Sequence, residues 1–391
     1  MPKRDIVIFL GAGFSFDAGL PVMSDFGPQS RVDFGVLEKH ASKGEKYAAK
    51  MLVDAAKIFY GFQDACRRSP TLTGEDADNL ETIFCIAEAM DEADLKTIIL
   101  QNKVYTLSEL IEKIQMWLWK IYQQCPLINP DRKNTRKETY IDFFSLLSKA
   151  DIWKRTTVIS TNYDLIFEYM SWKNSILCAY PFKNLPDDVD IINAGHGSKT
   201  YIRVDQDDPD VHSVLCKLHG SVNFFENGAN RSDHRLSIAT DLADGKPIGK
   251  SFLSKDLPAI FAVDAIWKIR QEHGQYMTPA IIPPTYAKLV GKKWLREAWK
   301  HALTALSEAK IILFIGYSMP LTDGFMRALI HAAYAIKKQT KMPDIYVIDP
   351  KPHVHHNYFA LFGASYRDIG HYTLKCALET KALQCVLEAA I

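Results

Sequence analysis

The sequence predicts an α/β protein, built on a doubly wound, mostly parallel sheet with a large helical insertion. Two observations predict it. Short runs of consecutive apolar residues end abruptly in Gly, Ser, Asn or Asp, the pattern of strands covered by helices on both faces. A long stretch, about residues 35 to 150, instead repeats apolar residues three and four apart, which is the helical period.

The first strand is Ile6-Val7-Ile8-Phe9-Leu10, running into Gly11-Ala12-Gly13-Phe14-Ser15. Small residues after a buried strand suit a phosphate-binding turn, with backbone amides and a helix start near Ser15 facing the ligand. The third glycine of the dinucleotide fingerprint is missing, so this loop alone reads equally well as a tight turn. Helical periodicity then covers Tyr47 to Phe62, Asp78 to Met90, Leu107 to Gln124 and Glu138 to Lys149. Asp76-Ala77-Asp78-Asn79-Leu80-Glu81 has the residues of a helix start. Trp117, Trp119 and Tyr122 are expected in a packed core or an oligomer interface rather than around a substrate.

A second strand, Val158-Ile159, opens onto Ser160-Thr161-Asn162-Tyr163-Asp164. It delivers an amide and a carboxylate to a strand's carboxyl end, where open α/β sheets bind ligands. A capping role for Asn162 at the helix beginning near Asp164 is the competing reading. From Pro181 to Pro258 the chain is rich in Asp, Asn, Gly and Ser and is expected to form an irregular, loop-rich module. Asp205-Gln206-Asp207-Asp208-Pro209-Asp210 inside it reads as solvated surface, not a calcium loop. Within this region Val214-Leu215-Cys216-Lys217-Leu218 carries His219 to a Gly220-Ser221 turn, and imidazole is suited to accept or relay a proton near neutral pH.

Two more strands follow. Ile311-Ile312-Leu313-Phe314-Ile315 leads into Gly316-Tyr317-Ser318 and then Asp323. Asp344-Ile345-Tyr346-Val347-Ile348 ends at Asp349, placed to meet a ribose or base. His353, His355 and His356 lack accompanying cysteines and are expected at a surface or helix entry rather than on a metal. Together these strands describe a Rossmann-like sheet. The whole chain, residues 1 to 391, is expected to be one elaborated domain.

The ordered set Gly11-Ala12-Gly13-Phe14-Ser15 with Gly19-Leu20-Pro21, Thr161-Asn162-Tyr163-Asp164, Leu218-His219-Gly220 and Gly316-Tyr317-Ser318 resembles the sirtuin superfamily. The motifs fill about a quarter of the chain, but their order spans nearly all of it. The resemblance implies that NAD binds, with Asn162 and Asp164 near the nicotinamide ribose and His219 as base. It places Gly11, Ala12, Gly13 and Ser15 at the pyrophosphate. The NAD-contacting set is expected to include Asp25, Thr161, Gly316, Tyr317, Ser318 and Asp349 as well.

Departures from the deacylase branch narrow the expectation. Sirtuin deacylases carry two Cys-x-x-Cys pairs for zinc. The seven cysteines here, at 66, 85, 125, 178, 216, 376 and 385, form no such pair, so no structural zinc is expected. Thr161 stands where those enzymes have glutamine, and Val22-Met23-Ser24-Asp25-Phe26 replaces their Asp-Phe-Arg. In these respects the chain resembles the bacterial sirtuin-like effectors of anti-phage defence, which hydrolyse NAD. The resemblance implies cleavage of NAD to nicotinamide and ADP-ribose, or a cyclic form. The alternatives are a silent NAD sensor gating a HerA-like ATPase, or a protein deacylase or ADP-ribosyltransferase. Control by homo-oligomer assembly or by a partner protein is expected.

Net charge is +1, with Lys and Arg scattered, giving no electrostatic case for nucleic acid or an anionic membrane. The chain shows no apolar run of the ~18 residues a span requires, and Met1-Pro2-Lys3-Arg4 is expected to lead into a core strand rather than form a signal peptide. An odd number of cysteines without framework spacing fits reduced thiols and a cytoplasmic setting.

Overall fold

A computed structural model describes residues 4–20, 47–70, 79–122, 137–176, 178–182, 189–193, 211–227, 235–242, 256–258, 277–282, 292–320, 323–336 and 341–388. The chain opens with β1 (Ile6–Leu10) and a short α1 (Ala12–Phe16). The insertion follows: α2 (Tyr47–Arg67), α3 (Leu80–Glu92), β2 (Thr97–Leu100), β3 (Lys103–Thr106), α4 (Leu107–Tyr122) and α5 (Lys137–Lys149). Next come β4 (Thr156–Ser160), α6 (Ile166–Lys173), β5 (Cys178–Ala179), β6 (Val189–Asn193), β7 (Ser213–Lys217), β8 (Gly220–Asn227), β9 (Arg235–Leu242), β10 (Asp256–Pro258) and β11 (Met277–Ile281). The last part holds α7 (Lys293–Glu308), β12 (Ile311–Ile315), α8 (Gly324–Ala335), β13 (Asp344–Ile348), α9 (Pro352–Phe362), β14 (Tyr366–Arg367), α10 (Leu374–Glu379) and α11 (Ala382–Glu388).

Seven strands form the main sheet in the order β14-β13-β12-β1-β4-β7-β5. Every pairing in it is parallel. From the central β1 the chain first builds one flank (β4, β7) and later the other (β12, β13, β14). The order therefore reverses between β1 and β12, and the crevice beyond the carboxyl ends there is where such sheets take ligands. Residues of β1, β4, β7 and β12 are buried throughout, which explains their uninterrupted apolar and Thr/Ser runs.

Register makes the crevice level. Lys217 lies beside Ser160, Ser160 beside Leu10, Leu10 beside Ile315, and Ile315 beside Ile348. The hydrogen-bond ladder runs one residue further: Leu218 N donates to Ser160 O, Thr161 N to Leu10 O, Gly11 N to Ile315 O and Gly316 N to Ile348 O. The five chains thus turn away from the sheet in one row, about 19 Å long at ~4.8 Å per strand spacing.

The helical insertion contains the four expected helices, with ends within a few residues of the periodic pattern except at α2, which continues to Arg67. It also contains the antiparallel hairpin β2–β3, which the periodicity did not indicate. Trp117, Trp119 and Tyr122 are core residues, as expected. Trp119 Nε1 donates to Val222 O, and Gln115 Nε2 to Ile281 O, fastening α4 to the strands beside His219.

The segment from 181 to 258, expected to be an irregular, loop-rich module, holds strands where it is described. Besides β7, this segment supplies β6, β8, β9 and β10, which with β11 make a second, five-stranded sheet. Some of its pairings join segments distant in sequence, such as β8 with β11 and β6 with β9, and polar residues alternate with apolar ones along β9. Asp25, Asp76 to Asp78, the acidic run Asp205–Asp210 and Pro283-Pro284 lie outside the described residues.

Candidate active site

The row of strand ends walls a cavity of about 470 Å³, within the range of small-molecule sites. Ala12, Gly13, Thr161, Asn162, His219, Gly316, Tyr317, Ser318 and Asp349 all line it. Nine of the sequence-marked residues therefore meet in one crevice. A cavity of about 510 Å³ also opens between α2, the hairpin and α4, lined by Lys57, Lys103, Lys113 and Asp54 over Ile58 and Leu100. Its polar groups are largely solvated and none is sequence-marked, so the crevice is the candidate site.

Gly13 and Gly316 line the crevice floor, while Gly11, expected at the ligand, lies outside the lining and packs against Gly316 and Tyr317. A Cβ on Gly11 would lie 2.6 Å from Gly316 O, one on Gly13 2.7 Å from Gly316 Cα, and one on Gly316 2.3 Å from Phe14 N. Gly316 also has φ +62°. The loops after β1 and β12 interlock backbone against backbone, and Gly13 N donates to Gly316 O. This revises the expected role of the glycine amides. Gly11 and Gly13 spend their N–H groups on the β12 side, and α1 is only five residues long, too short to present much of a helix dipole. What the missing side chains provide is closeness of the two loops.

Asn162 sits 7% exposed at the wall. Its Nδ2 donates to Gly11 O (2.9 Å) and Ser15 Oγ (3.0 Å). A carbonyl partner fixes which end of the amide is nitrogen, so Asn162 has its Oδ1 left to offer the cavity as an acceptor. Asp164 stands behind it. Its Oδ2 accepts from Ser15 Oγ (2.7 Å) and its Oδ1 from Ile166 N (3.0 Å). The helix-capping role weighed for Asn162 thus belongs to Asp164, and neither Asp164 nor Ser15 lines the cavity. Both hold Asn162 from the rear.

Two groups not foreseen brace this loop. Lys217, 1% exposed, donates from Nζ to Asp164 O (2.6 Å) and lies 3.2 Å from Glu168 Oε1. Burial pushes the Glu168 carboxyl up, and Lys217 opposes that shift.

His219 is held by its backbone. Leu218 O accepts from Trp299 Nε1 (3.1 Å), His219 O accepts from Ile282 N (2.8 Å), and Gly220 turns the chain at φ +76°. His219 Nε2 lies 3.5 Å from Asp323 Oδ2. Asp323 in turn accepts from Tyr317 Oη (2.9 Å).

At the far end Asp349 Oδ1 accepts from Lys351 N (2.9 Å), and burial raises its carboxyl. Lys351, His353, Tyr372 and Thr373 complete that end, none of them marked by sequence as ligand contacts. Of the three histidines in His353–His356, His353 and His356 are exposed on α9 as expected. His355 is buried instead, bonded to Tyr366 Oη (2.6 Å) and Asp349 O (2.7 Å). Among the described residues no group of three or more His, Cys, Asp or Glu is placed to hold a metal, and no helix is long and apolar enough to cross a membrane.

Fold and site define the class: a doubly wound α/β protein whose switch-point crevice lies along the row of strand ends, with Asn162 and His219 on its β4–β7 side. No family model and no curated protein matches the chain. Solved structures align with it. One is a Sir2 protein bound to a propionylated peptide, 11% identical, TM-score 0.36, covering 100% of this chain and 95% of its own. Another is Sir2 with the inhibitor EX-527, 2'-O-acetyl-ADP-ribose and deacetylated p53 peptide, at 10% identity and TM-score 0.32, covering 100% and 96%. Scores this low leave the chain's function to be read from its own residues.

Proposed function

We propose that the protein is an NAD glycohydrolase. The observation that carries the reading is that Asn162 and His219 line one crevice, past the ends of the neighbouring strands β4 and β7. The nicotinamide ribose lies on that side, the pyrophosphate over the Gly13–Gly316 floor, and the adenosine towards Asp349 and Tyr372.

Cleavage passes through an oxocarbenium-like state at the anomeric carbon. Asn162 Oδ1 accepts a hydrogen bond from the attacking water or from a ribose hydroxyl, orienting it. The water oxygen bonds to the anomeric carbon as the glycosidic bond breaks, its electron pair leaving with the nicotinamide nitrogen. His219 takes the water's proton. If a ribose hydroxyl attacks instead, the product is cyclic and His219 takes the hydroxyl proton. General base help of this kind is worth ~100- to 10,000-fold in rate.

An unrestrained NADase would deplete its own cell, so activity is gated by a homo-oligomer or by a partner such as a HerA-like ATPase, in keeping with a defence effector. The test is NAD consumption by the purified chain, alone and with its genomic neighbours, with products identified. Parent activity should fall ~100-fold or more in His219→Ala and in Asn162→Ala, with KM little changed. Equal rates in parent and variants would overturn the mechanism. Release of acyl groups from a peptide, or tight NAD binding without turnover under every trigger, would replace it with the deacylase or sensor reading.

A further inference from the structure

We infer that Asp323 is a positioning residue that fixes the tautomer of His219 and raises its basicity; the inference rests on the reading of His219 as the base. Asp323 lies just ahead of α8, on the other side of the switch point from β7, and is fully buried. Its two oxygens serve different elements. Oδ1 accepts from Met326 N (3.3 Å), capping α8, while Oδ2 accepts from Tyr317 Oη (2.9 Å) and faces His219 Nε2 at 3.5 Å. A cap alone needs one oxygen, and Ser, Thr or Asn supplies it as well. A buried carboxylate is costly unless a charge partner or hydrogen bonds compensate. His219 becomes such a partner at the moment it accepts a proton.

An acceptor at Nε2 keeps the ring proton there, leaving the lone pair on Nδ1, and the same negative charge favours the imidazolium that forms. The separation is long for a hydrogen bond, as catalytic contacts often are before substrate binds. Tyr317 fixes the carboxylate from the crevice side, through its ring contact with Phe9 (4.7 Å) and the bond from Tyr358 Oη to its carbonyl. Among the described residues, the titratable groups on the elements around the pair include Tyr163, whose ring centroid is 6.3 Å from that of His219, and Lys217, whose Nζ is turned to Asp164 O and Glu168.

The experiment uses the full chain with isotope-labelled histidines, followed by NMR across pH, the His219 signals being assigned by their loss in His219→Gln. In Asp323→Asn, which keeps the cap, the His219 titration midpoint should drop by about one pH unit or more, and its tautomer signature should change. NAD turnover near neutral pH should fall about 10- to 100-fold with KM held, and the acid limb of kcat/KM should move to lower pH with the NMR midpoint. Asp323→Glu should restore part of the midpoint. Should the asparagine variant fail to fold, Asp323→Ser removes the same charge and still caps α8. An unmoved His219 midpoint in a folded variant overturns the inference. That readout does not need catalysis, so loss of the NADase reading alone would show as a shifted midpoint in a protein that never consumes NAD.

Discussion

The crevice and the helical insertion are held together in different ways. In the crevice, chains touch backbone to backbone: the β1 and β12 loops interlock through three glycines, and Gly220 lies against Ala280. In the insertion, helices meet through side chains, with Tyr60 of α2 edge-on to Trp117 of α4. Side chains can repack around a change, whereas main chain cannot. The geometry of Asn162 and His219 is therefore specified far more tightly than the packing of the helices beside it.

The sharpest test of that contrast is Gly220→Ala. The new Cβ would stand 1.7 Å from Ala280 O, at a φ of +76° that alanine resists. Left-handed strain and overpacking together should cost about 3–6 kcal/mol, and any folded fraction should have a displaced His219 and little NAD turnover. Urea unfolding monitored alongside NADase assays checks both. Stability within about 1 kcal/mol of the parent would show that the crevice yields as easily as the insertion.

Next in size is the buried pair behind Asn162. Lys217→Met leaves Glu168 without its nearest cation and Asp164 O without its donor. Removing one member of a buried pair costs about 3–5 kcal/mol at neutral pH, and replacing both by apolar residues restores much of it. The pH dependence has a definite sign. Burial raises the folded-state pKa of Glu168 above its ordinary 4.5, so its protonated form favours folding and that stability is lost as pH rises through the raised value. Without Lys217 to oppose burial, the raised value climbs further. The variant's deficit should be small near pH 4.5 and grow towards pH 8, and Lys217→Met/Glu168→Leu should flatten the profile. Unfolding curves at both pH values decide it.

The two regions also differ in how far they could be read from sequence. Crevice residues are dictated by backbone demands, glycine where loops interlock and a polar group one step past each strand, so Gly13, Gly316, Asn162 and His219 stood out. Asp323 was legible only as a polar group after its strand, because its partner His219 comes from the opposite flank of the sheet and nothing in its spacing points there. Lys217 drew no notice within the strand that carries His219, and it is a buried brace. In the insertion, periodicity located the helices, but the β2–β3 hairpin turns on Gln101 and Asn102 at φ +50° and +62° without the glycine that normally announces such a turn. The second sheet was hidden because its strands lie in a stretch rich in Asp, Asn, Gly and Ser and two of its pairings, β8 with β11 and β6 with β9, join segments far apart in sequence.

The smallest effect, and of opposite sign, is expected in the insertion. Gly61 lies inside α2, where a Cβ would meet only the Gln101 side chain, Nε2 at 3.3 Å and Cδ at 3.6 Å. That side chain sits on the exposed hairpin turn and can swing aside. Gly61→Ala exchanges a poor helix former for the best one and narrows the unfolded ensemble, so it should stabilise by about 0.5–1 kcal/mol while NAD turnover stays at the parent level. Differential unfolding of the two proteins measures it. A loss comparable to that of Gly220→Ala would mean that α2 and the hairpin are as closely fitted as the glycine loops, and that the insertion shapes the crevice instead of leaning on it.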